Sequence, residues 1–180
     1  VLKNTSLKNK KTMIFGNGGS AAIASHFSVD LTKNAKIRCT NYNESDLLTC
    51  FSNDFGYEKW VEKAIEYYGD EGDVLILISS SGNSQNMLNA ANFAKKKKFS
   101  KIITFTGNSK NNKLSKLGDI NFWVDSKAYN HIENTHQVLL TPPLGSRIFQ
   151  FVREFFEVFA SFFEFSNSFG PVQTYSDHFG

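Results

Sequence analysis

The sequence predicts an α/β fold in which helices cover both faces of a parallel sheet. Short apolar segments typical of strands alternate with amphipathic segments typical of helices through residue 140. Five consecutive apolar residues at 74–78 indicate a strand that is buried on both faces. Loops of small residues follow two of the strands, at 16–20 and 79–84, and the carboxyl ends of parallel strands are where such sheets bind ligands.

Length and composition predict one globular domain. The chain has 180 residues, of which 41% are apolar and 21% charged. A net charge of +3 and scattered lysines do not indicate nucleic-acid binding, and no segment reaches the roughly 18 apolar residues that a membrane helix needs. Neither an export signal nor a disulfide framework is indicated, since Cys39 and Cys50 are the only cysteines. We therefore expect a cytoplasmic protein with reduced thiols, no membrane contact and no nucleic-acid partner.

The elements of the first half follow from apolar spacing and turn residues. Residues 1–11 are polar and predict the end of a helix or a loose arm. A strand at 11–15 precedes a helix for which Ser20 is the predicted N-cap. A second strand is expected at 37–42, and a loop at 52–56.

The second half continues the alternation. A helix at 57–68 is expected to end at Gly69, because glycine is the preferred residue at a helix C-terminus. The buried strand at 74–78 is followed by the polar loop and a helix through residues 87–94. The remaining elements are expected as strands at 101–106 and 120–124, and a last helix at 130–140.

The composition changes after Pro142 and Pro143. The last 39 residues contain 10 of the 18 phenylalanines and no lysine, whereas residues 1–141 contain 17 lysines. Apolar spacing still predicts a helix at about 146–165, followed by a loop. Two interpretations stay open: a helix that docks on the domain or on a neighbouring subunit, and a tail produced by a reading-frame change or an artificial junction. The predicted boundary is therefore a domain at 1–141 and an atypical segment at 142–180.

The glycine-rich segment Gly16–Ser20, the glycine turn, predicts an anion site. A strand that turns directly into a helix leaves backbone N–H groups free at the positive end of that helix. Gly16, Gly18 and Ala21 also fit the loose dinucleotide pattern G-x-G-x-x-G/A. That pattern requires an acidic residue about 20 residues on, where this chain has Asn41 and Asn43.

The segment Ser79–Ser84, the serine loop, favours a phosphate over a dinucleotide. Ser79, Ser81 and Ser84 offer hydroxyl donors, and Gly82 allows the backbone to turn toward the next helix. Such loops often supply only an N-cap. Four serines in six residues exceed what capping needs, so a cradle for a phosphate or a sugar phosphate is predicted.

The segments Gly16–Ser20, Ser52–Gly56 and Ile78–Ser84, in this order, resemble the sugar isomerase (SIS) family. The resemblance runs from about residue 11 to 140 and is strongest to the members that interconvert sedoheptulose 7-phosphate and a heptose 7-phosphate. It implies a three-layer, flavodoxin-like or Rossmann-like sandwich with a five-stranded parallel sheet. It also implies a homodimer or homotetramer whose active sites are shared between subunits.

The resemblance further implies which residues bind the substrate. Phosphate contacts are assigned to Ser79, Ser81 and Ser84 of the serine loop, and sugar contacts to the other motifs and the last helix. The complete predicted binding set is Asn17, Gly18, Gly19, Ser20, Asn53, Asp54, Ser79, Ser80, Ser81, Ser84, Asn130 and Glu133.

Aldose–ketose isomerisation moves a proton between adjacent carbons through an enediol. A carboxylate or imidazole must remove the proton while another group polarises the carbonyl. Asp30 stands where the family has a glutamate base, and His26, four residues earlier, shares its helix face. The alternative interpretations are that Asp30 is a solvated surface charge and that His26 is a partly buried histidine without a catalytic role. Asp30 lies about 15 Å along the helix from Ser20, a distance that favours a role for Asp30 in the active site of a neighbouring subunit.

The last helix departs from the family pattern. Glu133 stands where the family has a glutamine, Asn130 where it often has an aspartate, and Thr141 where the heptose isomerases have a catalytic histidine. His136 is the nearby imidazole and is predicted to be the acid or a metal ligand.

The resemblance also raises the question of a metal. No cofactor is required by this chemistry, but in some family members the position of His26 helps to bind zinc. His26, Asp30 and Glu133 form the candidate zinc set, because nitrogen and oxygen ligands suit that ion.

Two functional hypotheses follow. The preferred one is a phosphosugar isomerase with Asp30 as base and either His136 or a metal as its electrophilic partner. The rival is a SIS module that binds or senses a phosphosugar without turnover, or a degenerate homologue. A dinucleotide enzyme is a more distant alternative.

Overall fold

A computed structural model of the chain describes residues 1–141. The helix predicted at 146–165 and the loop after it lie outside the described residues. The helices are α1 (Leu2–Leu7), α2 (Gly19–Lys33), α3 (Ser45–Phe55), α4 (Trp60–Tyr68), α5 (Gln85–Lys96) and α6 (Tyr129–Leu140). The strands are β1 (Thr12–Gly16), β2 (Cys39–Thr40), β3 (Val74–Ser79), β4 (Lys101–Thr106) and β5 (Ile120–Trp123).

All strand pairs are parallel, which confirms the predicted sheet. The five strands lie in the order β2-β1-β3-β4-β5. Strand order therefore reverses between β1 and β3, and open parallel sheets bind ligands in the crevice at such a reversal. Gly16, the last residue of β1, pairs with Ile78, next to the end of β3. The glycine turn and the serine loop consequently leave the sheet side by side.

The core lies on both faces of the sheet. Successive strand residues point to opposite faces, so Met13 and Phe15 of β1 join one apolar cluster with helices α4 and α5. Ile14 joins the other cluster, which contains Ile23 and Phe27 of α2. All six residues of β3 are buried, as the continuous apolar run predicts.

The prediction of a loop at 52–56 is wrong, because residues 52–55 form the end of a helix. Helix α3 runs from Ser45 to Phe55 and ends at Gly56, whose φ of +89° is accessible to glycine without a side-chain clash. Leu47 and Phe51 lie one helical turn apart and pack against the core, which favours a helix over the local loop propensity.

Two other elements differ from their predicted bounds. The strand expected at 37–42 reduces to Cys39–Thr40, because it has one partner, β1, with which it forms two residue pairs. The helix expected from residue 57 starts as the 3₁₀ turn Tyr57–Lys59 and continues as α4, which Gly69 ends as predicted.

Within residues 1–141, no helix is both long and apolar enough to cross a membrane. Cys39 is buried and Cys50 exposed, and both are free. Burial raises the pKa of Cys39 to about 12, so this side chain stays a protonated thiol.

Candidate active site

A cavity lies where β1 and β3 end, and it gathers most of the predicted binding residues. It is lined by Asn17, Ser20, Ile78, Ser79, Ser80, Ser81, Ser84, Tyr129 and Glu133. The glycine turn, the serine loop and helix α6 therefore form one site, although Glu133 lies more than 100 residues after the glycine turn in sequence.

The glycine turn delivers the positive end of α2 to this cavity. Gly18, with φ +54°, is the N-cap of α2, and no side chain of the described residues caps this helix. The prediction that Ser20 is the N-cap is wrong, since the helix begins one residue before it, at Gly19. Ser20 lies in the first turn, is 3% exposed and lines the cavity. Uncapped N–H groups at a helix N-terminus stabilise an anion.

The serine loop contributes a second helix N-terminus and several hydroxyls. Ser84 is the N-cap residue of α5, yet its side chain makes no capping hydrogen bond to that helix. The hydroxyl of Ser84 instead lies 3.2 Å from that of Ser79. Ser80 is 6% exposed, and its hydroxyl has no hydrogen-bond partner among the described residues. Because an unsatisfied buried hydroxyl is unfavourable, this loop is built to bind a further oxygen.

Gly82 sets the shape of the serine loop. Its φ is +63°, and an added Cβ would lie 2.2 Å from the side chain of Asn112. Asn112 is 3% exposed and donates from Nδ2 to the hydroxyl of Thr106 at 3.1 Å. The backbone N–H of Leu114 donates to the carbonyl of Gly82 at 2.9 Å, which fixes the turn on the neighbouring segment.

Helix α6 forms the far wall of the cavity through Tyr129 and Glu133. These residues are four apart and so share a helix face. A Cβ added to Gly19 would lie 2.5 Å from Glu133 Oε2, so the carboxylate covers the start of α2. The positive helix end stabilises this negative charge, while the charge itself opposes a phosphate in the same cavity.

Sequence reasoning missed three residues at or behind the cavity wall. Tyr129 lines the cavity, and its i,i+4 spacing from Glu133 was the available signal. Asn86 and Tyr57 both hydrogen-bond the side chain of Asn17. Since they lie 69 and 40 residues from Asn17, no local pattern indicated those contacts.

His136 does not line the cavity. It is 0% exposed, its Nε2 lies 3.2 Å from the carbonyl oxygen of Thr106, and its ring packs edge-on against Phe105. Three residues along a helix place His136 about 60° around the axis from Glu133. Its ring lies toward the sheet, against Thr106 and Phe105, whereas Glu133 lines the cavity. An enclosed imidazole in this position does not suit the predicted role of acid or metal ligand.

The burial of His136 predicts a pH dependence of stability. Burial lowers the pKa of His136 from 6.5, and the hydrogen bond to Thr106 only partly opposes that shift. Between the two pKa values the unfolded chain binds the proton and the folded chain does not, so stability is lost as the pH falls below about 6.5. We expect the Tm to fall further between pH 7.5 and 5 in the wild type than in His136→Gln, which keeps an N–H donor but does not titrate. Parallel pH profiles of the two proteins would contradict this expectation.

His26 and Asp30 lie together on α2, as their spacing predicts. His26 Nε2 is 3.3 Å from Asp30 Oδ2, and Asn34 Nδ2 donates to Asp30 Oδ1 at 3.2 Å. The side chain of His26 is 61% exposed and that of Asp30 is 24% exposed. Neither lines the cavity that the described residues form.

The candidate zinc set does not come together in a single chain. Within residues 1–141 no group of three or more His, Cys, Asp or Glu side chains could hold a metal ion. Glu133 faces the cavity, whereas His26 and Asp30 pair with each other further along α2. No step of the chemistry is therefore assigned to zinc.

Five predicted binding residues do not contribute to the described cavity wall. Two of them, Gly18 and Gly19, form the start of α2 beside it. Asn53 and Asp54 lie in the last turn of α3, exposed and hydrogen-bonded to each other at 3.0 Å. Asn130 lies exposed in the first turn of α6. The helical conformation of α3, which sequence reasoning missed, determines where Asn53 and Asp54 point.

Comparison with known proteins gives consistent results in sequence and structure. Residues 1–107 match the family model described as SIS domain. The chain is 37% identical over 152 residues to phosphoheptose isomerase of Buchnera aphidicola subsp. Acyrthosiphon pisum, with 78% of each chain covered. It is 38% identical over 143 residues to phosphoheptose isomerase of Glaesserella parasuis, which covers 76% of this chain and 73% of that protein.

Two solved structures match the described fold. The phosphoheptose isomerase of Neisseria gonorrhoeae has a TM-score of 0.71 and 29% identity, with 76% of this chain and 74% of that chain covered. The phosphoheptose isomerase of Francisella tularensis also has a TM-score of 0.71, at 25% identity over 77% and 76% of the two chains. These matches agree with the parallel sheet flanked by helices that this chain forms, as predicted from the sequence.

Proposed function

Because this chain belongs to the SIS domain family, we propose that it is a phosphosugar isomerase that interconverts sedoheptulose 7-phosphate and a heptose 7-phosphate. One observation carries the proposal: the N-termini of α2 and α5, whose N-cap residues make no side-chain capping bond, and the hydroxyls of Ser20 and the serine loop converge on a single cavity at the strand-order reversal. Relatives and structural neighbours named phosphoheptose isomerase support the same activity.

The phosphate of the substrate is bound at the serine loop. Hydroxyls of Ser79, Ser80, Ser81 and Ser84 and the N-terminus of α5 supply neutral donors there. Charge-assisted hydrogen bonds to phosphate oxygens are stronger than bonds between neutral groups, so this cradle is the main source of affinity. The remainder of the open-chain sugar extends toward Asn17, Ser20 and the α6 wall.

The reaction is a proton transfer through an enediol. Asp30 of a neighbouring copy takes a proton from the hydroxyl-bearing carbon beside the carbonyl, and the enediolate forms as the carbonyl oxygen gains charge. N–H donors of Asn17 and of the α2 N-terminus stabilise that oxygen. The carboxylic acid then returns the proton to the adjacent carbon, while a proton moves between the two oxygens, so that no atom is gained or lost.

The proposal includes a homodimer or homotetramer, since Asp30 lies too far along α2 to reach the cavity of its own chain. It also includes a cytoplasmic location, which two free cysteines support because reduced thiols are typical of that compartment. Analytical ultracentrifugation and cell fractionation measure these two features directly.

The central test is turnover of sedoheptulose 7-phosphate by the full chain. We expect an aldose product, followed by NMR or by a coupled assay, and a rise in Tm with the same compound. Stabilisation without turnover would favour a binding module, and neither effect would indicate a degenerate homologue. A Tm shift with NAD would support the dinucleotide alternative instead.

A further inference from the structure

The side-chain amide of Asn17 is held by three hydrogen bonds behind the cavity wall. Its Oδ1 accepts from Asn86 Nδ2 at 2.8 Å and from the hydroxyl of Tyr57 at 3.1 Å. Its Nδ2 donates to Asn86 Oδ1 at 3.0 Å. The two asparagines therefore form a reciprocal amide pair, and the tyrosine adds a second donor on the carbonyl side.

The direction of this pair is fixed by the backbone of α5. Two paired amides would bond equally well if both were rotated by 180°, because donors and acceptors would simply exchange places. The N–H of Met87 donates to the carbonyl of Ser84 at 3.0 Å and also lies 3.1 Å from Asn86 Oδ1. Because a backbone N–H can only donate, a rotated Asn86 amide would place its own N–H groups against this donor. Asn86 must consequently present its oxygen to Met87 and its nitrogen to Asn17 Oδ1, which fixes the orientation of Asn17 as well.

The fixed orientation decides what Asn17 can offer a ligand. Its carbonyl oxygen already accepts two hydrogen bonds, and one of its two N–H groups is used. Within residues 1–141, the second N–H is the hydrogen-bonding group that remains on this cavity-lining side chain. A ligand atom that meets Asn17 must therefore be an acceptor.

We propose that Asn86 and Tyr57 are positioning residues that hold Asn17 as an N–H donor to the carbonyl oxygen of the bound sugar. This inference rests on the proposed function and specifies the polarising group in it. Asn86 is 2% exposed, and the three residues come from the glycine turn, the 3₁₀ turn and the first turn of α5. Donors that are ordered before the charge develops require no reorganisation during the reaction.

Asn86→Ala tests the role of the pair, with Asn89→Ala as the matched control. Asn89 lies on the same helix and its Nδ2 donates to the carbonyl of Glu58 at 2.8 Å, so this variant removes an asparagine amide without removing a hydrogen bond of the Asn17 side chain. We expect Asn86→Ala to weaken sedoheptulose 7-phosphate binding by about five- to tenfold, the effect of one lost hydrogen bond. Inorganic phosphate, used as a competitor, should bind within about twofold of the wild type because it meets the serine loop.

The kinetic effect distinguishes positioning from a loss of folded protein. Asn86→Ala should lower kcat as well as weaken sugar binding, and Tyr57→Phe, which removes one exposed hydroxyl, should do the same to a smaller extent. An unchanged ratio of sugar affinity to phosphate affinity in both variants would overturn the proposal. Equal effects of Asn86→Ala and Asn89→Ala would also overturn it.

A ligand-free measurement separates this inference from the proposed function. Exchange of the Asn17 side-chain N–H that donates to Asn86, resolved by ¹⁵N NMR, should be slow in the wild type and in Asn89→Ala, and fast in Asn86→Ala. Slow exchange in a protein that does not turn over the sugar would refute the isomerase assignment while supporting the orientation of Asn17. Fast exchange in the wild type would refute the orientation, whatever the turnover.

Discussion

Asp30→Asn is expected to reduce kcat for isomerisation by about 10²- to 10⁴-fold, the usual contribution of a positioned general base. The change replaces one carboxylate oxygen by an amide nitrogen, so the side chain keeps its shape but cannot take a proton. Sugar-phosphate affinity should stay within about threefold, because the phosphate is held by a different segment of the chain. Steady-state kinetics together with calorimetric binding measure the two effects separately.

The matched control is Glu133→Gln, the same chemical change in a carboxylate that lines the cavity. Removal of this negative charge should strengthen phosphosugar binding, more so at low salt, because the carboxylate opposes the phosphate. Turnover should persist, since the family has a glutamine at this position. If Glu133→Gln abolished turnover and Asp30→Asn did not, the base would have to be assigned to Glu133.

Gly82→Ala is expected to weaken phosphate and phosphosugar binding by about 100-fold, as for two lost hydrogen bonds to a charged group. An alanine Cβ would lie 2.2 Å from the Asn112 side chain, so either the turn or Asn112 must move. Asn112 is buried and bonded to Thr106, which leaves the serine loop as the part that shifts. Calorimetric titration with inorganic phosphate and with sedoheptulose 7-phosphate measures this loss.

Gly72→Ala is the control for the backbone strain alone. Gly72 has φ +88°, but an added Cβ there meets only the flexible side chain of Lys10, at 3.4 Å. Both variants should lose stability by about 1–2 kcal/mol from the left-handed conformation. Gly72→Ala should retain phosphate affinity. A similar loss of affinity in both variants would show that the serine loop does not depend on the Gly82 turn.

Much of the fold follows from local sequence patterns. The run at Val74–Ile78 indicates a strand buried on both faces, and small residues after β1 and β3 mark the ligand edge of the sheet. These inferences hold because periodicity and glycine content depend on near neighbours in the chain. The bounds of α3 did not follow in this way. Packing of Leu47 and Phe51 on the core outweighs the loop propensity of the residues at 52–56.

The sequence alone predicts the proposed phosphate cradle, because its serines and glycine lie within six residues of each other. Tertiary structure decided the rest of the site. It places Glu133 over the start of α2, turns His136 into the core and pairs Asn17 with Asn86. Each of these contacts joins segments that are distant in sequence. The packing of the helices on the sheet decides which distant side chains meet. Local sequence patterns indicate which residues have the chemical groups for a reaction, whereas the packing of helices on the sheet decides which of those residues face the cavity.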